Sequence, residues 1–239
     1  MKKVEILYED EEIIVINKSP NTLSIPDRFK PEKFNLKSYL ENRFDTIYVV
    51  HRLDKDTSGL ICFAKTEEAH RSLSLQFQNR NVTKIYHLFC DGHPPESDGI
   101  IDEPILKRSD GKSIIHKTGK PSQTAYKVLQ KFQAHSILEF ELLTGRTHQA
   151  RIHASHIGCP LIVDPVYGNR DRFFLSTIKR NYRSGKNNEE QPLLSRTPLH
   201  AKILTLSHPT TKKRIHFEAD YPKDLKALEN QLTKWSSIK

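Results

Sequence analysis

The chain has 239 residues, 36% of them hydrophobic and 28% charged, which suits one large domain or two small ones and excludes collagen-like, mucin-like and disordered classes. Lys and Arg number 38 against 29 Asp and Glu, a formal charge of +9. Such an excess attracts polyanions, so nucleic acid is the first partner to weigh against a basic but unspecialised surface.

No apolar run reaches the roughly 18 residues of a membrane span, and Met1-Lys2-Lys3-Val4-Glu5 leads into acidic residues instead of a signal peptide. A cytoplasmic protein is expected. Cys62, Cys90 and Cys159 are odd in number and set among apolar neighbours, which predicts reduced core thiols and not a disulfide framework or a zinc site.

Taken in order, Val4, Ile6 and Tyr8 alternate and Ile13-Ile14-Val15-Ile16 run on after the acidic turn Glu9-Asp10-Glu11, predicting two strands joined by a turn. A Pro-bearing loop follows from Ser19 to Pro26. Two further strands, Ile47–Val50 and Leu60–Phe63, bracket the polar loop His51–Gly59. From Thr66 to Arg80 the spacing of Ala69, Leu73 and Phe77, with Glu67 and Glu68 early and Arg80 late, predicts a helix.

Strand patterns recur at Lys84–Cys90, Ser122–Leu129 and Ser136–Leu143, the first separated from the others by a Gly, Pro and Asp-rich connection from Asp91 to Lys120. Thr144-Gly145-Arg146-Thr147 opens a helical stretch from His148 to Ile157, which Gly158 stops at the C′ position. Residues 169–196 carry seven Lys or Arg against three acids without a clear period, and are expected to be a mobile basic insertion. The runs Lys202–Ser207 and Arg214–Ala219 read as a hairpin with a basic tip, and Leu225, Leu228, Leu232 and Trp235 form one face of a last helix. Hairpins with irregularly interspersed helices predict an α+β protein with a mainly antiparallel central sheet.

Two segments are dense in reactive side chains. His51-Arg52-Leu53-Asp54 with Asp56, Thr57 and Ser58 lies between strands, where loops on rigid scaffolds carry chemistry; an ordinary Asp/Ser/Thr turn explains the same residues equally well. In Gly145-Arg146-Thr147-His148-Gln149-Ala150-Arg151-Ile152-His153, helical spacing puts His148, Arg151 and Ser155 on one face and Ala150, Ala154 and Ile157 on another. Arg151 is then available to a carboxylate or phosphate. The spacing of His148, His153 and His156 fits no metal motif well.

These segments, with Lys84-Ile85-Tyr86, Gly158-Cys159-Pro160, Asp164, Tyr167-Gly168, Leu199-His200-Ala201 and His208-Pro209, resemble the RluA-type pseudouridine synthases over nearly the whole chain. The stretch Thr118–Thr124 looks close to the dual-specificity rRNA and tRNA branch of that family. Val163 and Ala150 depart from its usual Gly and larger aliphatic.

The resemblance implies the pseudouridine synthase catalytic fold, a central sheet with a cleft across it, as a single catalytic domain over residues 1–239 without an N-terminal S4 domain. It implies isomerisation of uridine to pseudouridine in 23S ribosomal RNA, transfer RNA or both, with no cofactor and no metal, by a protein expected to act as a monomer away from membranes. It places the essential carboxylate at Asp54, its guanidinium partner at Arg151, and at Tyr86 the ring beside the target base. Arg52 is the residue entering the space the nucleotide vacates, and His51, Arg146 and His148 are further substrate-binding residues. Ile61 and Leu143 are candidate walls for the base. The alternatives are a non-catalytic RNA-binding protein and a histidine-dependent metal nuclease, the latter without a credible ligand set.

Overall fold

The computed structural model describes residues 4–183 and 189–238. In chain order they form β1 (Glu5–Glu9), β2 (Ile13–Lys18), α1 (Leu36–Glu41), β3 (Tyr48–Val49), β4 (Ser58–Ala64), α2 (Glu67–Gln78), β5 (Thr83–Asp91), β6 (Asp98–Asp102), β7 (Ile105–Lys107) and β8 (Ser113–Ile115). Then come β9 (Gln123–Lys131), β10 (His135–Leu142), α3 (Gln149–His156), a 3-10 turn (Leu175–Thr177), β11 (Leu199–Ser207), β12 (Arg214–Glu218) and α4 (Lys223–Ser236). The architecture is α+β with mainly antiparallel pairing, as the patterning predicts. The chain divides into two compact units, residues 1–85 with 200–220 and residues 86–199 with 221–239.

In the first unit β2 is central, antiparallel to β1 on one side and to β4 on the other, with register from Ile13 opposite Ala64 to Lys18 opposite Gly59. All seven residues of β4 are buried, so its sequence reads as a continuous apolar run without alternation. Its Ser58–Gly59 end pairs in parallel with His200–Ala201 of β11, which continues into an antiparallel hairpin with β12. Thr66 caps α2 by accepting the Ala69 N–H at 3.1 Å, and Ala69 and Leu73 pack on Ile13, Leu60, Leu204 and Leu206. Gly59 has φ +104°, and a Cβ there would lie 2.2 Å from the Ala201 carbonyl oxygen. Only glycine permits that approach of β11 to β4.

In the second unit β10 and β9 form a long antiparallel pair extended by β6. Leu225, Leu228 and Leu232 of α4 pack against Phe89, Phe132, Ile137, Ile162, Phe173 and Leu194. Three strands, β6 to β8, fall inside the connection read from sequence as irregular, because pairing with β9 and within the β7–β8 hairpin overrides their Gly- and Asp-rich composition.

The basic insertion also departs from expectation in its described part. Phe173 and Leu194 exchange backbone hydrogen bonds of 2.8 and 3.2 Å, Arg170 binds Asp91 at 2.8 Å, and Lys179 lies 4.8 Å from the Trp235 ring centre. An apolar pair and two cation anchors thus dock it on its own unit; the remainder of that prediction, 184–188, lies outside the described residues. All three cysteines are free thiols and buried. Among the described residues no helix is long and apolar enough to cross a membrane.

Candidate active site

His51, Arg52 and Asp54 share one loop of the first unit, and three sets of hydrogen bonds fix its path. The His51 ring stacks on Phe77 with centroids 4.7 Å apart, and its Nε2 accepts the Cys62 backbone N–H at 3.0 Å. Accepting requires an unprotonated nitrogen there; burial, assisted by the Lys84 charge, brings the His51 pKa down to about 3. His51 therefore pins the loop entrance to β4 as a neutral ring.

Next, Ser24 Oγ donates to the Leu53 carbonyl at 2.9 Å and accepts the Leu53 N–H at 3.1 Å, clamping the residue just before Asp54. Beyond it, the buried Lys18 ammonium donates to the carbonyls of Thr22 at 2.8 Å and Lys55 at 2.9 Å. Thr22 N–H also reaches the Lys55 carbonyl at 3.2 Å, and Thr57 N–H closes the turn onto the Asp54 carbonyl at 3.2 Å. Asp54 is thus held half-buried between a Ser clamp and a Lys clamp, with Arg52 exposed.

At the exit, His200 Nε2 donates to the Ala219 carbonyl at 3.2 Å, which leaves Nδ1 to accept the Ser58 hydroxyl at 2.9 Å. Sequence reasoning missed Lys18, because its place at the end of an apolar strand reads as a solvated terminus. The signal was a lysine in register with the wholly buried strand β4.

In the second unit Tyr86 is a buried strand residue of β5. Arg146, His148 and Arg151 cluster around the start of α3. His148 precedes the helix in the left-handed region at φ 57° and places its Nδ1 2.9 Å from the Tyr167 hydroxyl. Arg146 donates through Nε and Nη2 to the Pro121 carbonyl at 3.2 and 3.1 Å.

The turn depends on Gln149, whose four polar positions are all used. Oε1 accepts from Thr144 Oγ1 at 2.8 Å and the Arg146 N–H at 3.0 Å, and Nε2 donates to the Gln123 carbonyl at 2.9 Å and Thr124 Oγ1 at 3.0 Å. Thr124 passes its own proton to His153 Nδ1 at 2.9 Å, and His153 Nε2 donates to the Glu103 carbonyl at 3.1 Å. His153 is thereby a neutral structural ring, its pKa lowered by burial, and not a metal ligand. At the far end Gly158 (φ +75°) completes a Schellman cap, with Gly158 N–H on Ser155 and Cys159 N–H on Ala154.

Residues Gln149 to Ala154 are all buried, so the two-faced helix read from spacing is in fact enclosed nearly all round. Ile157, assigned to the core face, is half-exposed, because it follows the last helical turn. The carboxylate that Arg151 meets in this unit is Asp164. Nε and Nη2 bind its two oxygens at 2.7 and 2.6 Å, while the guanidinium lies 4.8 Å from the Tyr167 ring centre. Asp164 is fully buried and also accepts the Val166 and Tyr167 N–H groups at 2.9 and 3.0 Å. Burial alone would raise its pKa; the Arg151 bonds and charge with these donors outweigh burial and hold it below the ordinary value. Among the described residues no His, Cys, Asp and Glu group is arranged to hold a metal ion.

The family described as RNA pseudouridylate synthase matches residues 12–156, more than half of the chain. The chain belongs to the RNA pseudouridylate synthase family.

Pseudouridylate synthases relink uracil to its ribose, and this chain is accordingly an isomerase converting uridine to pseudouridine in RNA. It is 36% identical over 237 residues to the ribosomal large subunit pseudouridine synthase D of Escherichia coli O6:H1, covering 93% of this chain and 68% of the relative. It is 39% identical over 232 residues to the protein of the same name from Pseudomonas aeruginosa, covering 93% and 69%. The solved human RNA pseudouridylate synthase domain containing 1 superposes with a TM-score of 0.71 at 27% identity, over 98% of this chain and 89% of that one. Human RNA pseudouridylate synthase domain containing 4, with TM-score 0.72, 22% identity and coverage of 96% and 93%, shares the fold.

Proposed function

We propose that this isomerase acts on large-subunit ribosomal RNA, with Asp54 as its reacting carboxylate. The similarity that runs through 93% of the chain to enzymes named for the large ribosomal subunit carries the substrate reading. The clamped Asp54 turn supports the assignment of the carboxylate, since a nucleophile or base must be held within a fraction of an ångström of its productive position. Breaking the C1′–N1 bond and forming C1′–C5 needs no net redox change: the proton leaves C5 and a proton is gained at N1. An aspartate and local proton transfers suffice for that balance.

In this reading Arg151 and Tyr86 are the other two catalytic residues, Tyr86 stacking on the target base and assisting proton movement at C5. Arg52 replaces the extruded nucleotide in the stack, offsetting an unstacking cost of a few kcal/mol. Arg146 and His148 contact the RNA margin. His51 contributes through the loop it pins.

The test incubates unmodified large-subunit ribosomal RNA and, in parallel, transfer RNA with the protein in the presence of chelator, and maps pseudouridine by carbodiimide-dependent primer-extension stops. Discrete new stops in ribosomal RNA are expected. Stops in transfer RNA alone overturn the substrate reading, and binding without any stop favours the non-catalytic RNA-binding alternative.

A further inference from the structure

Between Ser24 and Asn35 the first unit makes a closed excursion. Leu23 bridges Asn35, the Leu36 N–H returns to the Leu23 carbonyl at 2.9 Å and the Lys37 N–H to the Ser24 carbonyl at 3.1 Å. The base of this loop is the same Ser24 that clamps Leu53, so the loop springs from the residue that precedes Asp54 in space as Leu53 does in sequence.

At its tip Phe29 is 85% exposed. A single exposed Phe needs no explanation by itself, but this one is presented in a fixed way. The Asp27 carboxylate accepts the N–H groups of Phe29 at 2.9 Å and Lys30 at 3.0 Å, an Asx turn that sets the backbone outward. The Arg28 guanidinium lies 5.8 Å from the Phe29 ring centre. Arg28, Lys30 and Lys33 of the same loop are exposed, with Glu32 between the two lysines. An exposed aromatic ring on a loop rich in cations is the chemistry that binds single-stranded RNA, stacking a base while the cations meet the flanking phosphates.

We propose that Phe29 is a stacking platform for an unpaired base of the RNA substrate flanking the target nucleotide, with Arg28, Lys30 and Lys33 on the adjoining phosphates. This rests on the RNA-isomerase reading and adds a contact to it. A base gripped here is tied mechanically to the Asp54 turn through Ser24, so binding at the tip helps to register the RNA on the reacting carboxylate.

The experiment measures Kd by fluorescence anisotropy for a labelled single-stranded uridine oligonucleotide and for a large-subunit ribosomal RNA transcript, using wild type, Phe29→Ala and Phe29→Trp. Phe29→Ala should weaken both by about 5-fold or more, keep the salt dependence of binding, since no charge is removed, and lower kcat/KM for the transcript by a similar factor. Phe29→Trp should bind as wild type does, with its emission quenched by RNA. Because the side chain is solvent-exposed, circular dichroism of all three should coincide.

A Kd for Phe29→Ala within twofold of wild type, or equal losses in Ala and Trp, overturns the proposal. So does a shift in sedimentation showing Phe29 to be a contact between copies of the chain. Phe29-dependent RNA binding without pseudouridine formation would overturn the substrate reading and uphold the contact. Pseudouridine formation with Phe29-independent binding would do the reverse.

Discussion

Replacing Asp164 by Ala removes the carboxylate from its buried ion pair with Arg151. The guanidinium loses two charge-assisted bonds of 2.7 and 2.6 Å while itself only 9% exposed, and breaking one side of such a pair costs about 3–5 kcal/mol. The Val166 and Tyr167 N–H groups also lose their acceptor, but these residues lie near the surface, where water replaces it. Against a usual stability of about 5–15 kcal/mol the loss is large. With m of about 2 kcal/mol/M it lowers the urea midpoint by roughly 2 M.

The assay is built into the chain. Trp235 is its single tryptophan and belongs to the same unit as Asp164, so its fluorescence reports unfolding where the pair is broken. Replacing both partners, Arg151→Met with Asp164→Leu, should restore most of the stability, because the buried guanidinium is removed together with the carboxylate that compensates it. In the proposed reading it does not restore turnover, since the guanidinium itself is gone. The pH dependence has a definite sign. Asp164 titrates below its ordinary value in the folded state, so its contribution is present above the unfolded carboxylate range and is lost as pH falls through the folded value. The Ala variant should therefore lose less stability than wild type on acidification. A midpoint shift under about 0.5 M, or a double variant no more stable than Asp164→Ala, would show that the pair does not carry this stability.

Asp54→Asn should retain fold and RNA affinity yet turn over at less than about one per cent of the wild-type rate, read by pseudouridine formation; a rate above that removes Asp54 from the chemistry. Arg52→Ala should impair a structured ribosomal RNA substrate much more than a short flexible oligonucleotide in which extrusion is easy, and equal losses would reassign Arg52 to phosphate binding or the chemical step. His51 has a folded pKa of about 3 against about 6.5 unfolded, so its stabilisation is present above the unfolded value and falls as pH drops from there toward the folded one. His51→Gln, which keeps an acceptor for the Cys62 N–H, should flatten that decline in melting temperature followed by far-UV circular dichroism between neutral pH and the acid limb.

Legibility in the sequence followed the size and regularity of each element. The α2 helix could be read to its cap, because Thr66, Glu67 and Glu68 sit where the dipole and the orphan N–H groups favour them. The six-residue α1 escaped notice, since one and a half turns hold too few apolar positions to show a period. Residues such as Arg151 and His153 could be singled out as chemically unusual. Their partners could not: Asp164 and Thr124 are distant in sequence, and only the fold brings them into reach. Lys18 shows the opposite failure, since a charge at a strand end reads as exposed until the strand beside it is known to be buried.

The parallel contact of β11 with β4 has a temporal consequence. Gly59 and Ala201 touch backbone to backbone, yet the ribosome releases one long before the other. At about 5–20 residues per second, β4 waits roughly 7–30 s for its neighbour to emerge, a mostly apolar strand with its edge incomplete at Ser58–Gly59. During that interval the nascent first unit presents a surface suited to chaperone capture, and truncation before His200 would leave β4 without its parallel partner.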